Sequence, residues 1–159
     1  MTGILYHEDF VTHSTGMGHP EQPSRVTAIV ETLKKEKYNG RLVWDGPRLA
    51  AEEEIEYIHS ESYIKRVIKT CESAPDYLDS YDNPVSDGSY QAALRASGAL
   101  LTAVDGVIEG KYTNAFCPVR PPGHHARHSM AMGFCIFNNI AIAARHLKNK
   151  HNIHKILIV

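Results

Sequence analysis

Two adjacent histidines, His124 and His125, follow a stiff Pro-Pro-Gly segment and precede an apolar run. Imidazoles have an unperturbed pKa of about 6.5, so a neighbouring pair can divide proton acceptance and donation near neutral pH. Pro121, Pro122 and Gly123 restrict the backbone before the pair, which suits side chains that need a fixed direction. The pattern favours acid–base chemistry, with ordinary loop polarity as the alternative.

The residues after the pair suggest what surrounds it. His128 completes an H-H-x-x-H pattern, but three histidines this close on one loop would strain to converge on a zinc ion. Gly133 before Phe134 permits a tight turn or the close approach of a ligand. We expect these two residues to line a narrow apolar channel, with core packing of Phe134 as the alternative. No cation obviously lowers the pKa of Cys135, which we interpret as a small buried hydrophobic residue.

The elements that must position these residues alternate along the chain. Apolar segments predict strands at residues 3–7, 41–44, 115–117 and 155–159, the last of them buried. Helical periodicity follows possible caps at Ser24, Ser60 and Asn138 or Asn139, and an alanine-rich helix is expected over residues 90–108. This order predicts an α/β fold with three layers, a mostly parallel sheet with helices on both faces. The histidine pair then follows the carboxyl end of a strand, where open α/β sheets usually bind ligands.

Composition excludes several classes of protein. The chain has 159 residues, of which 43% are hydrophobic, enough for one domain with a core. A net charge of −1 with interspersed signs gives no support for a nucleic-acid surface or a polybasic membrane segment. Three scattered cysteines fit a reducing compartment, and neither a signal peptide nor a membrane span is visible. We expect a cytoplasmic protein without direct contact to nucleic acid or membrane.

Several motifs together resemble one family. The stretches "RPPGHHA" and "GFCIFNN" resemble the signature of the histone deacetylase superfamily, in the form seen in class II enzymes and bacterial deacetylase-like amidohydrolases. Gly18–Ile29 and Tyr81–Val104 resemble the two active-site loops of the family with the helices that follow them. The stretch "KILIV" resembles the strand that leads into the zinc site. The matches cover nearly the whole chain.

The resemblance implies a function and roles for particular residues. It implies an arginase-like α/β fold, an acyl-lysine tunnel and zinc-dependent hydrolysis of acetyl or other acyl amides on lysine side chains. His124 would lie near the water that attacks the amide, and His125 would act as base and then as acid. Asp82 would accept hydrogen bonds from the substrate backbone at the rim, although a local turn role is an equal alternative. Gly133 and Phe134 would form part of the tunnel wall.

The zinc ligands of the family have no counterpart in this chain. They are an Asp-x-His pair directly after the "ILIV" strand and a later Asp, and residues 1–159 contain neither D-x-D nor D-x-H. We therefore predict that residues 1–159 are the N-terminal part of a single deacetylase domain that continues beyond Val159. The sheet is then incomplete at its C-terminal end, the Zn²⁺ ligands lie downstream, and these residues alone are inactive.

Two alternative functions stay open. An acetylpolyamine or other small-amide hydrolase on the same fold would be favoured by an acidic polyamine site or longer insertions at the rim. A non-catalytic deacetylase-like interaction domain would be favoured by a natural end at Val159. The expected partners are an acetyl-lysine protein or peptide, or an acetylated small amine.

Overall fold

The computed structural model describes residues 1–159. The strands are β1 Thr2–Leu5, β2 Leu42–Asp45, β3 Asp76–Tyr77, β4 Pro84–Val85 and β5 Asn114–Phe116. The helices are α1 Asp9–Thr12, α2 Pro23–Leu33, α3 Glu52–Ile55, α4 Glu61–Glu72, α5 Ser89–Ile108 and α6 Asn139–His151, with a 3₁₀ turn at Glu36–Tyr38. None of the helices combines the length and apolar character that a membrane crossing requires.

The main sheet is parallel, as the alternation of strands and helices predicts. Its order is β2-β1-β5, with Gly3 opposite Val43 on one side and Ala115 on the other. Side chains alternate between the two faces of a strand, and Gly3, Ile4 and Leu5 of the central strand are all buried. Both faces of β1 are therefore covered, which confirms the α/β class. A separate antiparallel hairpin, β3–β4, lies outside this sheet.

Helix α5 connects the two halves of the core. It contacts β1, β5, α1, α4 and α6, and its residues belong to both buried apolar clusters. Its small side chains allow the close approach of its neighbours: a Cβ on Gly98 would lie 2.0 Å from the Arg48 carbonyl oxygen. The alanine-rich sequence of α5 thus reflects tight packing around the helix.

Two of the expected helix caps are confirmed, and one is wrong. The Ser60 hydroxyl accepts from the Tyr63 N–H at 3.3 Å, and the Asn138 amide oxygen accepts from the Ala141 N–H at 3.1 Å. Ser24 is not a cap, because α2 begins one residue earlier at Pro23, whose fixed φ suits the first helical turn.

The buried strand expected over residues 155–159 is wrong for this structure. These residues form no strand, and the exposed fractions of Leu157 and Val159 are 85% and 115%. The edge strand β5 pairs on one side only, with β1. The apolar pattern of "KILIV" predicts burial, but a strand also needs backbone partners on a neighbouring strand. Ile156 and Ile158 instead line an apolar groove beside α5 and α6.

Candidate active site

Two loops meet beside the carboxyl end of the parallel sheet, where a buried ion pair joins them. The histidine loop, residues 117–138, follows β5, and the first loop, residues 13–22, follows α1. The guanidinium of Arg120 is fully buried and donates to the Glu21 carboxylate at 2.7 Å and to the Phe10 carbonyl at 2.9 Å. Because the side chain of Glu21 is only 3% exposed, this ion pair is largely desolvated. It fixes the first loop against the start of the histidine loop.

The end of the histidine loop is held by a second set of hydrogen bonds. The Asn138 backbone N–H donates to His59 Nε2 at 2.9 Å, and the Asn138 amide donates to the Ala126 carbonyl at 2.9 Å. Asn139 is not a cap: its amide oxygen accepts from the Ser97 hydroxyl at 2.8 Å. The histidine pair therefore lies on a loop whose backbone is anchored before and after it.

The two histidines lie side by side in the lining of a cavity. Both are exposed, and their ring centroids are 4.2 Å apart with an angle of 55° between the ring planes. The cavity measures about 420 Å³ and is lined by Pro20, Glu21, Arg25, Pro122, His124, His125, Gly133 and Phe134. The structure thus brings together four of the five site residues expected from the sequence.

Gly133 and Phe134 shape the wall of this cavity. Both have a positive φ, +57° at Gly133 and +69° at Phe134. A Cβ at Gly133 would lie 2.7 Å from Cδ2 of His125, so only glycine leaves room for the imidazole. Phe134 is half-buried and meets the ring of His19 edge-on, with centroids 4.8 Å apart. Its left-handed backbone conformation costs about 1–3 kcal/mol and aims the ring at the cavity rather than into the core.

Asp82 lies beside the cavity but does not line it. It is exposed in the connection between β3 and β4 and borders a small crevice that includes His19 and Phe134. Its carboxylate accepts no hydrogen bond from the chain, whereas Asn83 donates to the Leu78 carbonyl at 3.2 Å. The turn is therefore held by Asn83, and the Asp82 carboxylate remains free.

The other candidates in the histidine loop lie away from the cavity. His128 points elsewhere, with Nδ1 2.5 Å from the Ile58 carbonyl oxygen, so the three histidines of the loop do not converge. Cys135 is fully buried, and burial raises the pKa of its thiol, as expected for a packing residue.

The residues of the cavity do not by themselves form a zinc site. Glu21 provides the one carboxylate in the lining, and it already accepts hydrogen bonds from Arg120 and Arg25. A catalytic zinc needs three convergent protein ligands. Zinc at this place would therefore need ligands other than these lining residues.

Sequence reasoning missed the buried polar residues behind the cavity. His13 donates to or accepts from the Ser89 hydroxyl at 2.7 Å, and its Nε2 lies 3.9 Å from the second carboxylate oxygen of Glu21. Burial, assisted by the Arg120 cation, lowers the pKa of His13 to about 3. Burial likewise lowers the pKa of His59 to about 4. Both side chains are consequently neutral at physiological pH, and no local pattern distinguishes them from surface histidines.

A further missed residue, Asp79, ties the β3–β4 hairpin to the histidine loop. Its carboxylate accepts from the Ala131 N–H at 2.7 Å and from Arg66 Nε at 3.1 Å. Arg66 also donates to the Ser129 carbonyl at 2.8 Å. Asp79 has a positive φ of 63°, and aspartate adopts this backbone conformation more readily than most residues. This preference for turns is the one local signal that could have pointed to Asp79.

Comparison with known proteins identifies a matching family. A family model described as "Histone deacetylase domain" matches residues 19–159. The chain is 36% identical over 167 residues to polyamine deacetylase HDAC10 of Homo sapiens, covering 99% of this chain and 25% of that protein. It is 38% identical over 162 residues to an uncharacterized protein of Synechocystis sp., covering 100% of this chain and 53% of that protein. The crystal structure of the HDA15 HD domain superposes with a TM-score of 0.86 at 31% identity, covering 92% of this chain and 42% of that one.

The chain belongs to the histone deacetylase family, a family of hydrolases. Its parallel sheet with surrounding helices is part of the arginase/deacetylase-like α/β fold. The chain spans between about a quarter and about half of the length of the curated relatives named above.

Proposed function

We propose that this protein removes acetyl groups from the side-chain amides of lysine residues, as the N-terminal part of a zinc-dependent deacetylase domain that continues beyond Val159. The observation that supports this most strongly is the placement of His124 and His125 at a cavity walled by Gly133 and Phe134. An aromatic wall suits the aliphatic stem of an acyl-lysine, and the imidazoles stand where its amide would end.

Amide hydrolysis needs two proton transfers, and one imidazole can perform both in succession, first as base and then as acid. A base removes a proton from water as the new C–O bond forms, and an acid donates a proton to the leaving amine as the C–N bond breaks. We assign both transfers to His125, whose ring is held against Gly133, and we place His124 beside the attacking water. The zinc that the family resemblance implies needs ligands from outside the cavity lining, and we place them downstream of Val159.

A small acetylated amine is the second candidate substrate. The relative from Homo sapiens that is 36% identical to this chain carries the name polyamine deacetylase. A polyamine is multiply cationic and needs free negative charge nearby. Among the cavity residues the carboxylate of Glu21 is engaged by two arginines, and Arg25 adds an exposed positive charge. The lining residues therefore favour the lysine substrate, whereas the free carboxylate of Asp82, beside the cavity, is the charge that a polyamine would use.

Hydrolysis of two matched substrates by the full-length protein tests the proposal. An acetyl-lysine peptide and an acetylated polyamine are compared by kcat/KM before chelation, after chelation and after zinc is restored. We expect the peptide to be the better substrate and both rates to disappear and return with zinc. A preference for the polyamine would select the second candidate. Absence of hydrolysis of either substrate by the zinc-loaded protein would refute the enzymatic proposal and favour an interaction domain.

A further inference from the structure

A cluster of metal-ligating side chains lies between α5 and α6, apart from the histidine pair. Nε2 of His146 is 2.9 Å from Oδ1 of Asp105, and Nε2 of His151 is 2.6 Å from the same oxygen. One potential ligand atom from each residue lies within 4.8 Å of the other two. His146 is only 3% exposed, and none of the three residues lines the cavity of the histidine pair.

We propose that Asp105, His146 and His151 bind one divalent transition-metal ion. Two imidazole nitrogens and a carboxylate oxygen are ligands that suit zinc, cobalt, nickel and copper. Tetrahedral ligand bonds of about 2.0–2.2 Å place neighbouring donor atoms about 3.3–3.6 Å apart, so the contacts of 2.9 and 2.6 Å found here need to open by about 1 Å or less to admit an ion. Three protein ligands leave a further coordination position for water.

The environment of His146 provides an independent observation. Its Nδ1 faces Oε1 of Glu54 at 3.5 Å, while its Nε2 faces the Asp105 carboxylate. A neutral imidazole has one N–H and can donate to only one of these two acceptors. When a metal ion takes the Nε2 lone pair, the N–H lies on Nδ1, and the Glu54 carboxylate is placed to accept from it.

Glu54 is itself fixed in place. Its two carboxylate oxygens accept from Arg48 at 2.6 Å each, and one of them also accepts from the Ala51 N–H at 2.9 Å. A carboxylate that orients the far nitrogen of a histidine ligand is a recurring support of protein metal sites. Glu54 is therefore already positioned to orient His146 as a metal ligand.

One carboxylate oxygen of Asp105 is available to a metal ion, because a lysine occupies the other. Lys150 donates to Oδ2 of Asp105 at 2.7 Å, so Oδ1 is the oxygen that both histidines approach. Asp105 also borders a polar cavity of about 230 Å³, from which water can complete the coordination. Arg48 and Lys111 line the same cavity, but they are paired with Glu54 and Asp45. The two imidazole donors therefore decide the selectivity, and we expect transition metals to bind in preference to calcium or magnesium.

Cobalt titration of the chelator-treated full-length protein tests this site. Any metal bound elsewhere in the protein is common to all variants, so the difference in Co²⁺ stoichiometry between variants is the quantity measured. We expect the wild type to bind one more Co²⁺ than Asp105→Asn and His151→Gln, with a d–d absorption band that both variants lack. The glutamine keeps an amide donor for Asp105, and His154→Gln is the matched control because His154 is exposed and outside the cluster.

Two further readouts separate metal binding from folding. Zinc should raise the Tm of the wild type and of His154→Gln by more than it raises the Tm of Asp105→Asn, because that variant lacks the additional site whose occupation stabilises the native state. Glu54→Gln should weaken Co²⁺ binding by about 10–100-fold, the usual effect of losing a carboxylate behind a histidine ligand. Equal Co²⁺ stoichiometry in the wild type and both ligand variants, or an equal loss in His154→Gln, would overturn the proposal.

Discussion

Replacement of Arg120 by methionine should destabilise the protein far more than any single surface change. The Arg120 side chain is fully buried and Glu21 is 3% exposed, so the substitution leaves a desolvated carboxylate whose remaining cation is Arg25, at 3.2 Å. It also removes the donor to the Phe10 carbonyl. Breaking one partner of a buried ion pair costs about 3–5 kcal/mol, a large part of the roughly 5–15 kcal/mol that stabilises a typical domain.

Arg25→Met is the matched control for this measurement. Arg25 contacts the same carboxylate, but its side chain is 56% exposed, so its loss should cost at most about 1 kcal/mol. Urea unfolding of the full-length protein, followed by circular dichroism, gives the free energy of unfolding for both variants. Adding Glu21→Gln to Arg120→Met should restore part of the loss, because the buried charge is then gone. Equal losses in the two single variants would refute the assignment of Arg120 and Glu21 as the connection between the loops.

Three other predictions concern residues around the same cavity. Because the folded-state pKa values of His13 and His59, about 3 and about 4, lie below the unfolded value of about 6.5, the unfolded state binds protons first on acidification. These two histidines should leave the free energy of unfolding unchanged above about pH 6.5 and lower it by up to about 1.4 kcal/mol per pH unit each between pH 6 and 4. His13→Gln should reduce this slope, and an unchanged slope in that variant would contradict the assignment. Asp82→Ala should lower kcat/KM for acetyl-lysine peptides more than for a minimal acetyl amide, because only the peptide offers backbone donors to the carboxylate. Its Tm should change little, since the carboxylate holds no part of the turn; a large loss of Tm with equal kinetic losses would instead support a turn role. Gly133→Ala should reduce turnover and stability together, since the new methyl group meets the His125 ring at 2.7 Å in a backbone conformation that alanine rarely adopts, and wild-type values for both would refute the close contact.

Helices and their caps could be predicted because their sequence signals lie within the elements themselves. The long helix α5 follows from its alanine-rich periodicity, and the caps at Ser60 and Asn138 follow from residue type and position. The histidine pair and the Gly133-Phe134 wall share one short stretch of chain. Their proximity in the cavity therefore required no knowledge of distant contacts.

The remaining features depend on partners that are far apart in the sequence. Arg120 and Glu21 are 99 residues apart, and Asp105 is separated from His151 by 46. No single-sequence pattern distinguishes such pairs from solvated charges. For the apolar "KILIV" segment the sequence predicted a strand that the structure does not contain. Hydrophobicity indicates that residues tend to be buried, but a strand also needs a neighbouring strand with which its backbone can pair.

The central claim is that His125 performs proton transfer in amide hydrolysis, and its replacement by alanine tests this most directly. The control is His128→Ala, a change of an exposed histidine in the same loop whose side chain lies outside the cavity. In the zinc-loaded full-length protein we expect His125→Ala to lower kcat for an acetyl-lysine peptide by about 100-fold or more, with unchanged zinc content, while His128→Ala stays within about threefold of wild type. Near-wild-type turnover in His125→Ala, or an equal loss in His128→Ala, would contradict the proposed role of the pair.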